Sequence, residues 1–431
     1  MTRNSFNPVS SSTRRQQTQH SYNGLAIIGI VYFSLFLTHN IWRTTFPNHT
    51  INNFALDQDE YRLLFALTFI PGIFAFTIGF ISDKFPLRNL LVASCMLLGI
   101  GLVTISSTNT ISGLAIGTLA IAFGFTLSYI VANSAYLIGS KSNEIVMAMA
   151  RLKSLGPLAG FMAALVILVT FAPELLSTAA TVIFNGDSTS TSKALINLFS
   201  SKPDVDPQKL RLLFAALGLA VAMFGWFVGY RLHLLRQGTT HGCLKIRSKL
   251  TPYYLLNFLA GCRSAIFQAF ALFILVRHYN LPLQGTALLG LGAFICSFLG
   301  YRMIGRATHR YGHRNVLTAV YLVVAINFVV FWYLLTWSPF TEVEQMLLAL
   351  SVLFLIDSTF FGVSVITDSH LRKVSDETNY YVGDVAIGLS LFSLAAALSA
   401  VLSNVIDPMA PSAFLMGSLV CICAITVGRR L

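Results

Sequence analysis

Arg263 and Asp357 each lie deep inside a long apolar stretch, which makes them the first candidates for chemistry. An ionisable side chain at bilayer depth is costly, so it faces a cavity or a partner. Arg263 falls roughly 18 Å along its stretch at 1.5 Å per residue, near the midplane. Asp357 falls at a similar depth in another stretch. Two readings stand for Arg263, a cavity ligand or a structural ion pair. Two stand for Asp357, a cavity carboxylate (the protonated group of a proton-driven device) or a hydrogen bond to a neighbouring helix.

Arg43 follows His39, Asn40 and Trp42 toward the outer end of the first apolar stretch. It either snorkels to outer head groups beside an interfacial Trp or serves as a second ligand. The second reading rests on pseudo-symmetry, because Arg43 and Arg263 each precede a Phe (Phe46, Phe267) by three or four residues. Two guanidinium forks facing one cavity would hold a phosphate or carboxylate bidentately. Asn40, Tyr129, Asn133 and Gln268 complete a candidate polar lining. Residues of these types at helical spacing also serve as packing groups between helices.

The elements that position these residues follow from composition. Of 431 residues, 55% are hydrophobic and only 11% charged, against about 25% charged in ordinary soluble chains. So little polar surface cannot coat a water-soluble globule of this size. A helix crosses a bilayer with about 20 mainly apolar residues. Such stretches fall at approximately 23–46, 61–82, 89–106, 111–139, 150–172, 209–231, 252–278, 283–304, 315–337, 343–368, 381–404 and 410–428. The expectation is an all-α membrane protein with twelve transmembrane helices in two pseudo-symmetric six-helix bundles, residues 23–231 and 251–431. Residues 1–22 read as a disordered cytoplasmic tail, and the first helix is expected to run past Pro47 toward Ala55. Residues 232–250 read as a basic cytoplasmic linker, either a solvated hinge or a segment lying on anionic lipid.

Charge sets the orientation. With both termini inside, about 21 of the 29 Lys and Arg fall on the inner side. The outer segments hold Asp57, Asp59, Glu60, Glu174, Asp187, Asp204, Asp206, Glu342 and Glu344. This bias predicts a multi-pass protein of a plasma (inner) membrane with cytoplasmic termini. It also accounts for the formal charge of +12, so no nucleic-acid partner is expected. The six cysteines read as apolar packing residues, with no disulfide framework, metal site or cofactor expected.

A short basic turn occurs twice, as GFISDKFPLR from Gly79 and GRATHRYGHR from Gly305, 226 positions later. Each follows one apolar span and precedes another, so the second half reads as a degenerate copy of the first. The turn resembles the loop between the second and third helices of the major facilitator superfamily. Gly79, Asp83, Lys84 and Arg88 match in the first copy; Gly305, Arg310, Gly312, His313 and Arg314 match in the second. Pro86 stands where Gly is usual, Leu87 replaces a basic residue, and His309 replaces Asp.

The resemblance implies a secondary transporter working by alternating access, with these turns latching the inner side. Asp384 is either a partner for the basic cluster or a helix cap. One arginine on the first helix and one on the seventh is similar to the organophosphate and phosphate antiporters of the superfamily. It implies a small organic anion as substrate, with a coupling proton or counter-ion, the lipid bilayer as the other partner, and a monomeric protein. Gly156-Pro157 with Gly160 resembles part of a fifth-helix antiporter motif, and equally reads as a small-residue packing seam. Proton-coupled export of amphipathic compounds is the alternative within transport. A polytopic membrane enzyme or a transporter-like sensor is the alternative from other classes. An enzyme calls for clustered His, Asp or Glu at a membrane face, whereas this chain carries lone charges at mid-depth.

The charge bias makes a direct prediction. Cysteines introduced at Ser188 and Thr240 will label from opposite sides of sealed cells, and labelling from one side would refute the twelve-span map.

Overall fold

The computed structural model describes residues 11–54, 67–140, 144–171, 207–231, 247–267, 283–339, 343–374, 381–405 and 411–430, with a few single positions between them. The described residues form α-helices joined by short turns. They are α1 (Ser11–Phe54), α2 (Ile70–Ile73), α3 (Phe76–Lys84), α4 (Leu87–Ser107), α5 (Ile111–Gly139), α6 (Ile145–Phe171) and α7 (Pro207–Arg231) in the first half. The second half holds α8 (Thr251–Ile266), α9 (Leu283–Tyr311), α10 (His313–Trp337), α11 (Val343–Thr359), α12 (Val363–Val374), α13 (Tyr381–Val405) and α14 (Ser412–Gly428).

Among the described residues, nine helical stretches are long and apolar enough to cross a membrane. In the positions expected for the second, seventh and twelfth spans, the described helices are shorter: α2 with α3, α8, and α14. Helix α1 runs through Pro47 to Phe54, as expected, but it begins at Ser11, inside the stretch read as a disordered tail. Thr, Arg and Gln there continue a helix that the apolar span has already nucleated, and each further residue costs far less than a first turn. The Ser188 and Thr240 positions lie outside the described residues.

Within the halves, glycines set how closely helices approach. Gly101 of α4 and Gly117 of α5 face each other's backbone carbonyls, and Gly99 and Gly218 do the same for α4 and α7. No hydrophobic force drives helices together in lipid, so backbone-to-backbone approach and dispersion contacts do. Two seams join the halves. One pairs α6 with α9, where Gly305 faces Ala150 and Gly160 faces the Phe294 ring. The other pairs α2 and α3 with α13, where Gly72 faces Ser393 and the Phe76 N–H donates to Ser390 Oγ at 2.8 Å. Gly156 and Gly160 of the antiporter-like motif are thus places where the Phe36 and Phe294 rings reach the α6 backbone.

The cores of the two halves differ in extent. One buried cluster fills the first half and continues into the second through Tyr253, Tyr254, Val365, Leu371, Val382 and Val385. These second-half residues sit toward the end that the charge bias assigns to the inside, called the inner end from here on. A separate cluster around Phe267, Tyr321, Phe328, Phe331 and Phe414 belongs to the second half alone. The halves therefore share a core at the inner end.

The two basic turns are built differently. In the first, α3 ends at Lys84, Phe85 and Pro86 are extended (Pro86 φ −63°, ψ 143°), and α4 begins at Leu87. In the second, α9 runs to Tyr311 and Gly312 alone turns the chain, at φ 83° and ψ 161°. That region is open to Gly and strained by about 1–3 kcal/mol for a residue with a Cβ. Gly312→Ala is therefore expected to destabilise the protein by about that amount in thermal unfolding. Pro86→Ala, at an ordinary φ, should cost no more than about 1 kcal/mol.

Candidate functional site

The tenth span breaks in the middle. Between α11 and α12 the chain tightens into a 3-10 turn, Phe360–Gly362. Such a turn disturbs the regular ladder and leaves carbonyls in need of donors, which lipid cannot supply. Arg263 of α8 supplies several. Its Nη2 donates to the Asp357 carboxylate at 3.0 Å and to the Asp357 carbonyl at 3.3 Å, and its Nη1 donates to the Phe360 carbonyl at 3.4 Å. The guanidinium also lies 5.4 Å from the centre of the Phe361 ring. The Ser297 hydroxyl of α9 donates to the Ser358 carbonyl at 2.8 Å. Arg263 is 2% exposed and Asp357 fully buried, so the pair is an interior pin of the second half that holds the break in shape.

A second buried pair crosses the halves. Lys153 of α6 meets Asp368 of α12 at 2.5 Å, and its ammonium donates to the Tyr129 hydroxyl of α5 at 3.3 Å. Tyr32 of α1, Tyr253 of α8 and Tyr301 of α9 stand within electrostatic reach of Asp368. Six helices from both halves thus deliver one ammonium, one carboxylate and four phenols to the same place. Near it, Asn133 of α5 is fully buried; its amide donates to the Tyr129 carbonyl at 2.7 Å and its Oδ1 has no hydrogen-bond partner among the described residues. This cluster is the candidate functional site.

Sequence reasoning reached Tyr129 and Asn133 but passed over Lys153, counted among the inner basic residues, and Asp368, the last residue of the expected tenth span. Boundaries explain the miss. Helix α6 starts at Ile145, not near 150, so Lys153 lies roughly 12 Å inside it. The tenth span runs on to Val374, so Asp368 is a full turn and a half from its end.

The other expected site residues are placed as follows. Arg43 is exposed on α1, and its neighbour Trp42, expected at the membrane interface, is instead 2% exposed and packed on His39 and Phe46. A large indole with aromatic neighbours on its own helix is better buried than left at the head groups. Helices α1 and α8 do not pack against each other extensively, and the contacts of Arg263 run to α11 and the 3-10 turn after it. Asn40 is half-buried and donates to the Phe36 carbonyl at 2.8 Å, a bond inside its own helix. Gln268 lies outside the described residues.

Among the gating candidates, Gly79 is buried and Arg88 half-buried, while the side chains of Asp83 and Lys84 lie outside what is described. Gly305 sits on the α6–α9 seam. Arg310 and Arg314 are exposed and have no acidic partner among the described residues. The neighbouring His313 instead ties the second turn to α12, with Nε2 3.0 Å from Ser369 Oγ and Nδ1 3.5 Å from Lys373 Nζ. Asp384 is bound by Arg247 of the linker and by the Tyr254 hydroxyl, which donates at 2.8 Å. It anchors the linker's end to the second half. Among the described residues, no group of His, Cys, Asp and Glu could hold a metal ion.

This arrangement has the fold of the major facilitator superfamily transporters. No family model matches the sequence, and no curated protein matches it. The fold is shared with the transporter FucP in its outward conformation at TM-score 0.69 and 14% identity, over 96% of this chain and 99% of that one. A structure of the E. coli fucose:proton symporter FucP matches at 0.64 and 15% identity, over 94% and 98%. A bacterial homologue of the iron transporter ferroportin, in its outward-facing state, matches at 0.68 and 10% identity, over 94% and 98%.

The Arg263–Asp357 pin generates a stability prediction. Removing either partner leaves a buried charge uncompensated, so Arg263→Gln or Asp357→Asn is expected to destabilise by about 3–5 kcal/mol. The double variant should be less destabilised than the sum of the two, and thermal unfolding of all three in detergent will read the coupling.

Proposed function

We propose that the chain is a secondary transporter that moves a small organic anion by alternating access, with Lys153 as the group that binds it. The observation that carries this reading is the buried Lys153–Asp368 pair at the seam of the halves. To open the inner end, α12 must leave α6, and that separates the pair. An ammonium at that depth without a counter-charge is unfavourable by several kcal/mol. A carboxylate or phosphate on a solute removes the penalty by taking the place of Asp368, flanked by the Tyr129 and Tyr301 phenols. The solute and Asp368 then compete for one cation, so binding weakens the inner closure only when cargo is present.

This reading keeps the organic anion inferred from the sequence but moves its receptor. Arg263 is committed to Asp357 and to the carbonyls of the helix break, so it supports the hinge and not the cargo. The same commitment weighs against Asp357 as the protonated group of an exporter of amphipathic compounds.

The test is a thermal-shift screen of purified protein against small organic anions and matched neutral solutes. A charge-assisted contact is worth roughly 1.5–3 kcal/mol, about 10- to 150-fold in affinity. Lys153→Gln should therefore abolish stabilisation by the best anion, while Asp368→Asn, which removes the competitor, should strengthen it. Spin labels at Glu144 and Lys373 should report a larger separated population in Asp368→Asn. If neutral solutes stabilise the protein as well as anions, and Lys153→Gln changes nothing, the anion site is refuted. An unchanged label distribution would reduce the pair to packing.

A further inference from the structure

A half-open cleft of about 170 Å³ lies on the α6–α9 seam, lined by Met147, Ala150, Arg151, Arg302 and Arg306. It is separate from the Lys153 cluster. Arg151 is two residues from Lys153, or roughly 200° around the helix, so it points away from the centre of the bundle. Arg302 follows Tyr301, roughly 100° further around α9, and is exposed where Tyr301 is half-buried. All three arginines are exposed, and none has an acidic partner among the described residues. Arg302 packs over the Phe298 ring at 4.6 Å.

The surroundings say what such a cleft takes. Arg302 lies within an apolar span, Leu288–Tyr311, roughly 13 Å before its inner end. Around it Ile295, Leu299 and Met303 of the same helix are exposed. An exposed apolar face at this depth faces lipid chains, and three cations on it with no acidic partner among the described residues call for an anion. A free anion in water would leave the apolar face uncovered. A phospholipid satisfies both, with phosphate oxygens on the guanidinium forks and acyl chains along Leu299 and Met303.

We propose that this cleft binds the phosphate head group of an anionic inner-leaflet phospholipid. One arginine comes from the first half and two from the second, so a single head group bridges the seam. It binds best when the inner ends of the halves are together, and it stabilises that state. The inner-leaflet assignment rests on the orientation drawn from the charge bias; the lipid chemistry does not depend on the solute carried at Lys153.

The test is native mass spectrometry of the purified full chain, titrated with phosphatidylglycerol and with chain-matched phosphatidylcholine. Phosphatidylglycerol should bind more tightly. Arg151→Gln, Arg302→Gln and Arg306→Gln together should weaken it roughly 100-fold, at about 5-fold per arginine. The corresponding triple Lys variant keeps the charge and should stay within about 10-fold of the native chain. Arg429→Gln with Arg430→Gln, also at exposed inner positions, should change nothing. If the triple Gln variant does not fold, Arg302→Gln alone should show the 5-fold loss. The proposal is overturned if the Gln variants hold phosphatidylglycerol like the native chain, or if the Arg429 and Arg430 control loses it equally. It is also overturned if inorganic phosphate stabilises the protein as well as the lipid does and competes with it.

Discussion

A buried ammonium must keep a counter-charge, and that constraint organises this molecule. Lys153 and Asp368 belong to different halves, yet each is almost fully buried because the other is there. Helices α6, α9 and α12 are drawn together around them, and the shared core of the first half extends into the second at the same end. Separating the halves there exposes or orphans two charges at once. The pair therefore ties α6 to α12 across the halves.

The second buried pair works on the first at a distance. Arg263 pairs with Asp357 and donates to the carbonyls left where the tenth span tightens between α11 and α12. With the break pinned to α8, α12 leaves the hinge in a fixed direction, and that direction carries Asp368 to Lys153. Ser297 and the close approach of Gly300 to the Thr359 carbonyl hold the same break from α9.

The seam between α6 and α9 presents two chemically distinct sides. Toward the centre it carries the buried Lys153 and the half-buried Tyr301. On its other side it carries Arg151, Arg302 and Arg306, which are exposed and have no acidic partner among the described residues. Small residues along the seam, Ala150, Gly160 and Gly305, keep the two helices close enough for both sides to act as units. A helix offers residues two apart to nearly opposite directions, so one short basic stretch serves both faces.

Much of the fold was legible in the sequence because bilayer physics is written in composition. Long apolar stretches, charges gathered mostly at their ends and the duplicated turn together indicated a helical membrane protein of two similar halves. The duplicated turn also marked Gly312, whose positive φ makes glycine necessary. The sequence could not show that the copy at Pro86 turns by a different backbone route, since both satisfy the same hydrophobic pattern. It placed Arg263 and Asp357 at depth but left their partners open, because depth follows from position in a span and pairing follows from helix rotation. It missed Lys153 and Asp368 because a shift of about five residues in a helix boundary moves a charge from the head groups to the interior. The sequence by itself determined that the chain is helical and built on long apolar spans, since composition and span length are local constraints. Only the tertiary structure decided which charges meet, because that depends on how helices from two halves are rotated against one another.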